Sequence, residues 1–256
     1  DQAETGGEPP PSSDTEGDPE IPAPNSTPDT PAPSTPEAQA LAGLAIAKAD
    51  PVGPELRARF DDSLVLRVKL VVDPALVIAR EDWLGYGASL FAATRASFEL
   101  LFGVELQLQG IVIWDVAPGA EVDALLADLT TRERDGADVI IGLVAQAQPP
   151  KFEATSWTGD KNGDYALVFA DLAQRDRYYR NLLRALAGLL GAEPTTDAAS
   201  KQLGSFMSDA TPPAGSAPVL DPENRGKVII NKRRPMAQAD PGPTPDDGSN
   251  PDVEEN

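Results

Sequence analysis

Asp171, Asp176 and Glu193 are the side chains best placed by type to move protons in this chain, because its 256 residues include no histidine and no cysteine. Two carboxylates can hydrolyse a bond when they face each other across a cleft, one protonated and one ionised. Nothing in the spacing of these three sets a pair across one cleft, and helix caps or solvated faces describe them better. A Ser–His or Cys–His nucleophile cannot be assembled, and no S-x-x-K pattern occurs to suggest a Ser–Lys pair. Imidazole and thiolate metal sites are excluded in the same way. The stretch Asp160-Lys-Asn162-Gly-Asp164 alternates oxygen side chains like the start of a calcium loop. Its sixth position is Tyr165 instead of glycine, and Asp171 replaces the closing Glu. An Asn-Gly turn describes it better, and the sequence leaves calcium there open.

The remaining constellation lies on one helix. Apolar spacing of three and four predicts a helix over 176–191. At 100° per residue, Tyr179, Leu182, Leu183, Leu186, Leu189 and Leu190 share a face that packs on a sheet. Asn181, Arg184, Ala185 and Gly188 lie opposite, with Arg184 and Gly188 one turn apart and pointing the same way. An interior glycine such as Gly188 costs about 0.5–1 kcal/mol relative to alanine. Gly191 offers the left-handed conformation that ends a helix.

In the frame Arg184-Ala-Leu-Ala-Gly-Leu-Leu-Gly-Ala-Glu-Pro194, followed by Ser205-Phe-Met-Ser208, the chain resembles a metzincin metalloprotease of the adamalysin/reprolysin-like kind. The family pattern is H-E-x-x-H-x-x-G-x-x-H, with a methionine turn under the zinc. Position by position, the first zinc His falls on Arg184, the catalytic Glu on Ala185, the second His on Gly188 and the third on Pro194. The glycine is retained at Gly191, and the turn methionine resembles Met207. The resemblance implies a twisted mixed sheet with helices over nearly all the folded part, and an exposed edge strand that holds extended substrate; residues 152–158 are the segment expected there. It does not carry the chemistry. Arginine offers only donors, glycine and proline offer no ligand, and alanine is no base. No metal and no cofactor are expected, and no catalytic residue.

The elements that would position this site read as an α/β domain. Ser63–Asp73 alternates β-branched residues and predicts a strand. A long helix covers 82–102, closed by Gly103, and a pair of strand signals covers Val104–Trp114. An acidic amphipathic helix is expected over Pro118–Asp135, then short strands at Ala137–Leu143 and Tyr165–Ala170. Residues 144–163 read as irregular. Asp221-Pro222 caps and opens a last helix. The basic run Lys232-Arg-Arg234 behind it is expected to meet helix C-termini or the acidic tail.

Residues 1–38 carry nine acids and 237–256 carry six, and neither segment has a Lys or Arg. The middle therefore holds about −5 of the net −20. Both flanks are rich in Pro, Gly, Ser and Thr, and are expected to be disordered acidic tails around a domain at 39–236. No basic face is advertised, so nucleic acid is not an expected partner. No apolar run reaches 18 residues, so no transmembrane segment is expected. The missing initiator Met, the stalk-like flank and the resemblance together point outside the cytoplasm, to a secreted, periplasmic or surface-lipoprotein form, the last with a lipid anchor upstream of Asp1. The function these features suggest is an inactive protease homologue, a pseudoprotease, that binds a protein or peptide in the former substrate cleft. Two other readings use the same residues: an enzyme working through carboxylates such as Asp171 and Glu193, and a passive structural module of an unrelated α/β fold.

Overall fold

Nine residues with four valines, Leu64–Val72, form strand β1, and its last five residues are buried. Such a doubly covered strand belongs inside a parallel sheet. The computed structural model of the protein describes residues 43–117, 119–145, 154–157, 164–169 and 174–236. The flanks 1–38 and 237–256 lie outside the described residues. In chain order the elements are α1 (Pro54–Asp61), β1, α2 (Pro74–Ala79), α3 (Trp83–Phe102), β2 (Val104–Ile113), α4 (Val122–Leu129), β3 (Val139–Val144), β4 (Ala154–Trp157), β5 (Tyr165–Phe169), α5 (Arg175–Leu189), α6 (Ala198–Leu203) and α7 (Pro222–Asn231).

The sheet order is β2-β1-β3-β5-β4. The first four strands are parallel, and β4 closes one edge antiparallel to β5. This is the mixed α/β architecture expected, and the strand at 154–157 falls inside the segment 152–158 expected at the edge. Alternation along each strand separates two cores. Leu66, Val68 and Leu70 of β1, with Val139 and Ile141 of β3, face α3, α5 and α7. Val71, Ile140 and Leu167 face Trp114 and α4.

Several elements differ from their sequence signals. The two strand signals over Val104–Trp114 form one strand, Val104–Ile113; Gln109 is the extra residue of a bulge where pairing to β1 shifts between Val68 and Lys69. Only Val122–Leu129 of the expected 118–135 helix forms. Hydroxyls of Thr130 and Thr131 bond back to Ala127 and Asp128 carbonyls, and Asp135 and Gly136 take positive φ, which turns the chain out of the helix. Helix α2 carried no clear signal. Its cap is Asp73, buried at the end of β1, which accepts from the amides of Leu76 at 2.8 Å and Ala145 at 3.0 Å.

The basic run serves helix C-termini, the first of its two expected roles. Lys232 is 2% exposed. Its Nζ donates to the carbonyls of Phe60, Phe102 and Gly103 at 3.1, 3.2 and 3.4 Å, at the ends of α1 and α3. Arg234 donates to the Leu189 carbonyl that ends α5, and Arg233 grips Asp62 with two bonds of 2.6 Å. Burial lowers the Lys232 ammonium from its ordinary value.

Candidate functional site

Helix α5 begins just beyond β5, at the carboxyl end of the parallel strands, where open α/β sheets place their ligand crevices. The buried Asn181 fixes it there by donating to the Phe169 carbonyl at 3.2 Å. The leucines expected on its sheet-facing side are buried. The opposite side, which carries Asn181, Arg184, Ala185 and Gly188, is largely covered. Asn181 and Ala185 are buried, while Arg184 and Gly188 are half-buried. The cover is the segment after α6, where Phe206 and Met207 join the main core.

This segment is a hydrogen-bonded turn. The Ser205 hydroxyl donates to the Asp221 carboxylate at 2.8 Å and accepts from the Met207 amide. The Ser208 hydroxyl returns to the Ser205 carbonyl at 2.7 Å. Asp221 also caps α7 through the Asn224 amide. Met207 is 1% exposed. Its carbonyl accepts twice, from the Thr195 amide at 2.9 Å and from Nη2 of Arg184 at 3.2 Å.

Between α5 and this segment lies a cavity of about 380 Å³. Arg175, Arg177, Arg180 and Arg184 line one wall, and Phe206, Pro212 and Pro213 contribute to the other. Arg175 donates to the Ser89 hydroxyl at 2.5 Å and lies over the Tyr86 ring, 5.6 Å from its centroid. Arg180 donates from Nη2 to the Gly204 carbonyl at 2.8 Å. Burial lowers the Arg180 guanidinium from its ordinary value, and the neighbouring Arg184 charge adds to the effect.

No protein-family model matches the chain. No curated protein matches it either. Among solved structures, that of a chaperone–substrate complex is similar with 13% identity and a TM-score of 0.48, over 66% of this chain and 34% of that one. The match spans about a third of that protein, and likeness at this level is silent on function.

Of the positions that align with the metzincin ligands, Arg184 alone lines the cavity. Ala185 is buried in the core, Gly188 is half-buried, and Pro194 is exposed. Gly191 takes φ +93°, which favours glycine, and a Cβ there would push aside Nδ2 of Asn231, 2.6 Å away. These residues do not fit a zinc ion: the one side chain directed at the cavity is a cation that only donates. Among the described residues, no group of three or more His, Cys, Asp or Glu is arranged to hold a metal.

Of the three carboxylates, the two that are described each have a partner of their own. Asp176 accepts from the Gly215 amide at 2.5 Å. Glu193 is exposed and paired with Lys227 at 2.7 Å, whose hydrogen bond lowers its carboxyl from the ordinary value. Asp171 lies outside the described residues, as do positions 160–163 of the calcium-like loop. The last of that loop's oxygens, Asp164, is buried and faces Arg134 at 3.4 Å and Arg234 at 3.5 Å. No described helix is long and apolar enough to cross a membrane.

The arginine wall is a feature not among the residues expected at the site. Its signal was present: Arg177, Arg180 and Arg184 stand at i, i+3 and i+7, one face of a helix.

Proposed function

We propose that this domain is a catalytically inactive metzincin-like protein, a pseudoprotease, that binds extended protein or peptide segments outside the cytoplasm. One observation carries the reading. Arg184, which the resemblance sets at the family's first zinc ligand, lines a cavity beside the helix and donates to the carbonyl of Met207, which the resemblance sets at the turn methionine. A guanidinium there supplies a fixed positive charge but no Lewis acid and no activated water. The antiparallel edge strand β4 supports the binding half of the proposal: among the described residues no strand pairs with its outer side, and an open edge can add a peptide as a further strand. Placement outside the cytoplasm rests on the resemblance and on the Pro-rich acidic flanks.

The test combines metal analysis with hydrogen exchange on the full chain. The purified protein is expected to bind no stoichiometric zinc and to cut no peptide of a random extended library with zinc added. Members of that library are expected to slow exchange at 154–157. Zinc-dependent cleavage would overturn the inactive reading. Unchanged exchange throughout the library would overturn the binding reading.

A further inference from the structure

A second groove opens at the amino end of the parallel strands, where α3 ends and β2 begins. It measures about 800 Å³, against about 380 Å³ beside α5. Segment 47–56, the last turn of α3 and α7 frame it. Its floor is apolar: Leu101, Leu220 and Ile229 are buried there. Leu100 and Leu203 also line it, yet are 46% and 47% exposed. Large apolar side chains left in water beside an apolar floor mark a binding surface. Gly226 is the informative residue. It lies inside α7, where glycine is costly relative to alanine. Neither conformation nor packing requires it. Its φ is not left-handed, and among the described residues a Cβ there would meet only Cδ1 of Leu56, at an ordinary 3.7 Å. What the missing side chain does is widen the groove. Such a glycine fits a place where a ligand approaches the backbone closely. Two bases, Lys48 and Arg225, and two acids, Asp50 and Glu55, line the groove, so its described lining is electrically balanced. Arg225 is already engaged. Its Nε donates to the Leu101 carbonyl at 2.8 Å, its Nη1 donates to the Asp50 carbonyl, and the Asp50 charge opposes the effect of its burial.

We infer that this groove binds an uncharged apolar small molecule, of the class of a long-chain alcohol. Its volume falls within the range of small-ligand sites, about 300–1,000 Å³, which are apolar with few polar groups. Charge complementarity decides the class. A balanced lining offers neither a carboxylate nor an ammonium a net attraction, and the chain's net charge of −20 repels anions. Setting a charge against the leucine floor without a partner is costly. An uncharged chain gains from each methylene that it buries there. The groove is separate from the β4 edge, which lies at the other side of the sheet from β2, so this inference and the peptide-binding reading can fail independently.

The experiment titrates the full chain with N-phenylnaphthylamine, an uncharged probe whose fluorescence rises in apolar surroundings, and then displaces it with dodecanol or dodecanoate. Saturable binding of a single probe is expected, with dodecanol displacing it at least about tenfold more strongly than dodecanoate. Gly226→Leu fills the groove and is expected to weaken binding at least about tenfold. Gly226→Ala is expected to raise the urea midpoint while weakening binding about threefold, a trade that a merely structural glycine would not show. Leu203→Lys sets a charge at the groove and gives the weakening expected of Gly226→Leu if that variant fails to fold. Absence of saturable binding overturns the inference, and so does binding that both Gly226→Leu and Leu203→Lys leave unchanged. A preference for dodecanoate makes the groove an anion site and overturns the uncharged class. Displacement by a soluble leucine-rich peptide but not by dodecanol makes it a protein-docking surface, which also overturns the inference.

Discussion

The Arg184 guanidinium donates from Nη2 to the Met207 carbonyl across 3.2 Å, from the middle of α5 to the turn behind α6. Fifteen residues of loop and short helix, 190–204, lie between the two elements in sequence, and this bond helps to hold them as one wall. The same carbonyl takes the Thr195 amide at 2.9 Å, so the turn is secured from two sides. The contact belongs to both the packing and the cavity, and the two roles can be separated by substitution.

Replacing Arg184 with Met keeps the stem and removes the donor and the charge. Because Thr195 still satisfies the Met207 carbonyl, loss of that hydrogen bond costs about 0.5–1.5 kcal/mol. Relief of repulsion with Arg180 and loss of the attraction to Asp209 act in opposite directions, so a value inside that range is expected. Urea denaturation of the full chain measures this. A loss above roughly 3 kcal/mol would mean that Arg184 holds the turn far more firmly than a single bond allows.

Much of the scaffold was legible because its signals are local. β1, α3 with Gly103 at φ +62°, and α7 with its Asp221 cap follow from alternation, apolar spacing and cap chemistry. The errors arose where tertiary contacts decide. The side of α5 opposite the leucines looks polar in sequence, because Asn181 and Arg184 punctuate it, yet the Met207 turn covers it from more than twenty positions away. The single bulged strand β2 reads as two because an extra residue breaks its alternation. The arginine wall was readable as spacing, but its meaning depends on the cavity, which only the 206–216 segment completes.

Lys232 is expected to be the most sensitive charged position in the fold. Its Nζ meets three carbonyls at the ends of α1 and α3 while the residue is 2% exposed. Lys232→Met fills similar space and leaves those carbonyls without their donor. Removing one partner from a buried polar cluster costs about 2–4 kcal/mol. Thermal and urea unfolding should both report it, and a change within about 0.5 kcal/mol of wild type would show that water replaces the ammonium.

Gly142 in β3 tests how tightly the second core is packed. A Cβ there would stand 2.8 Å from Cδ2 of Leu167 and 2.8 Å from Cζ3 of Trp114. Trp114 is itself fixed, with its indole N–H donating to Asp128 at 2.5 Å. Gly142→Ala therefore forces the indole or β5 to move and should destabilise the protein by roughly 1–3 kcal/mol. A shift in Trp fluorescence should accompany the loss. Unchanged stability and fluorescence would mean that this core has slack that the contacts do not suggest.

Tyr179 makes stability depend on alkaline pH. Its hydroxyl lies 2.5 Å from the Ser97 hydroxyl and donates to the Ala93 carbonyl at 3.2 Å. Burial pushes the phenol from its ordinary 10.0 up to about 12. The folded state therefore holds the phenolic proton after the unfolded chain has released it. The unfolded state binds fewer protons in that window, so stability falls as pH rises. The contribution is full below pH 10 and is lost on the way to about 12, a fall on the order of 2–3 kcal/mol. Tyr178, fully buried beside it, is raised in the same direction and keeps part of the slope in any single variant. Tyr179→Phe is expected to be less stable at neutral pH, having lost both hydrogen bonds, but to show a shallower decline through the alkaline window. Denaturant unfolding at intervals across that window compares the two slopes, and parallel curves for wild type and variant would show that Tyr179 ionises no later in the fold than out of it.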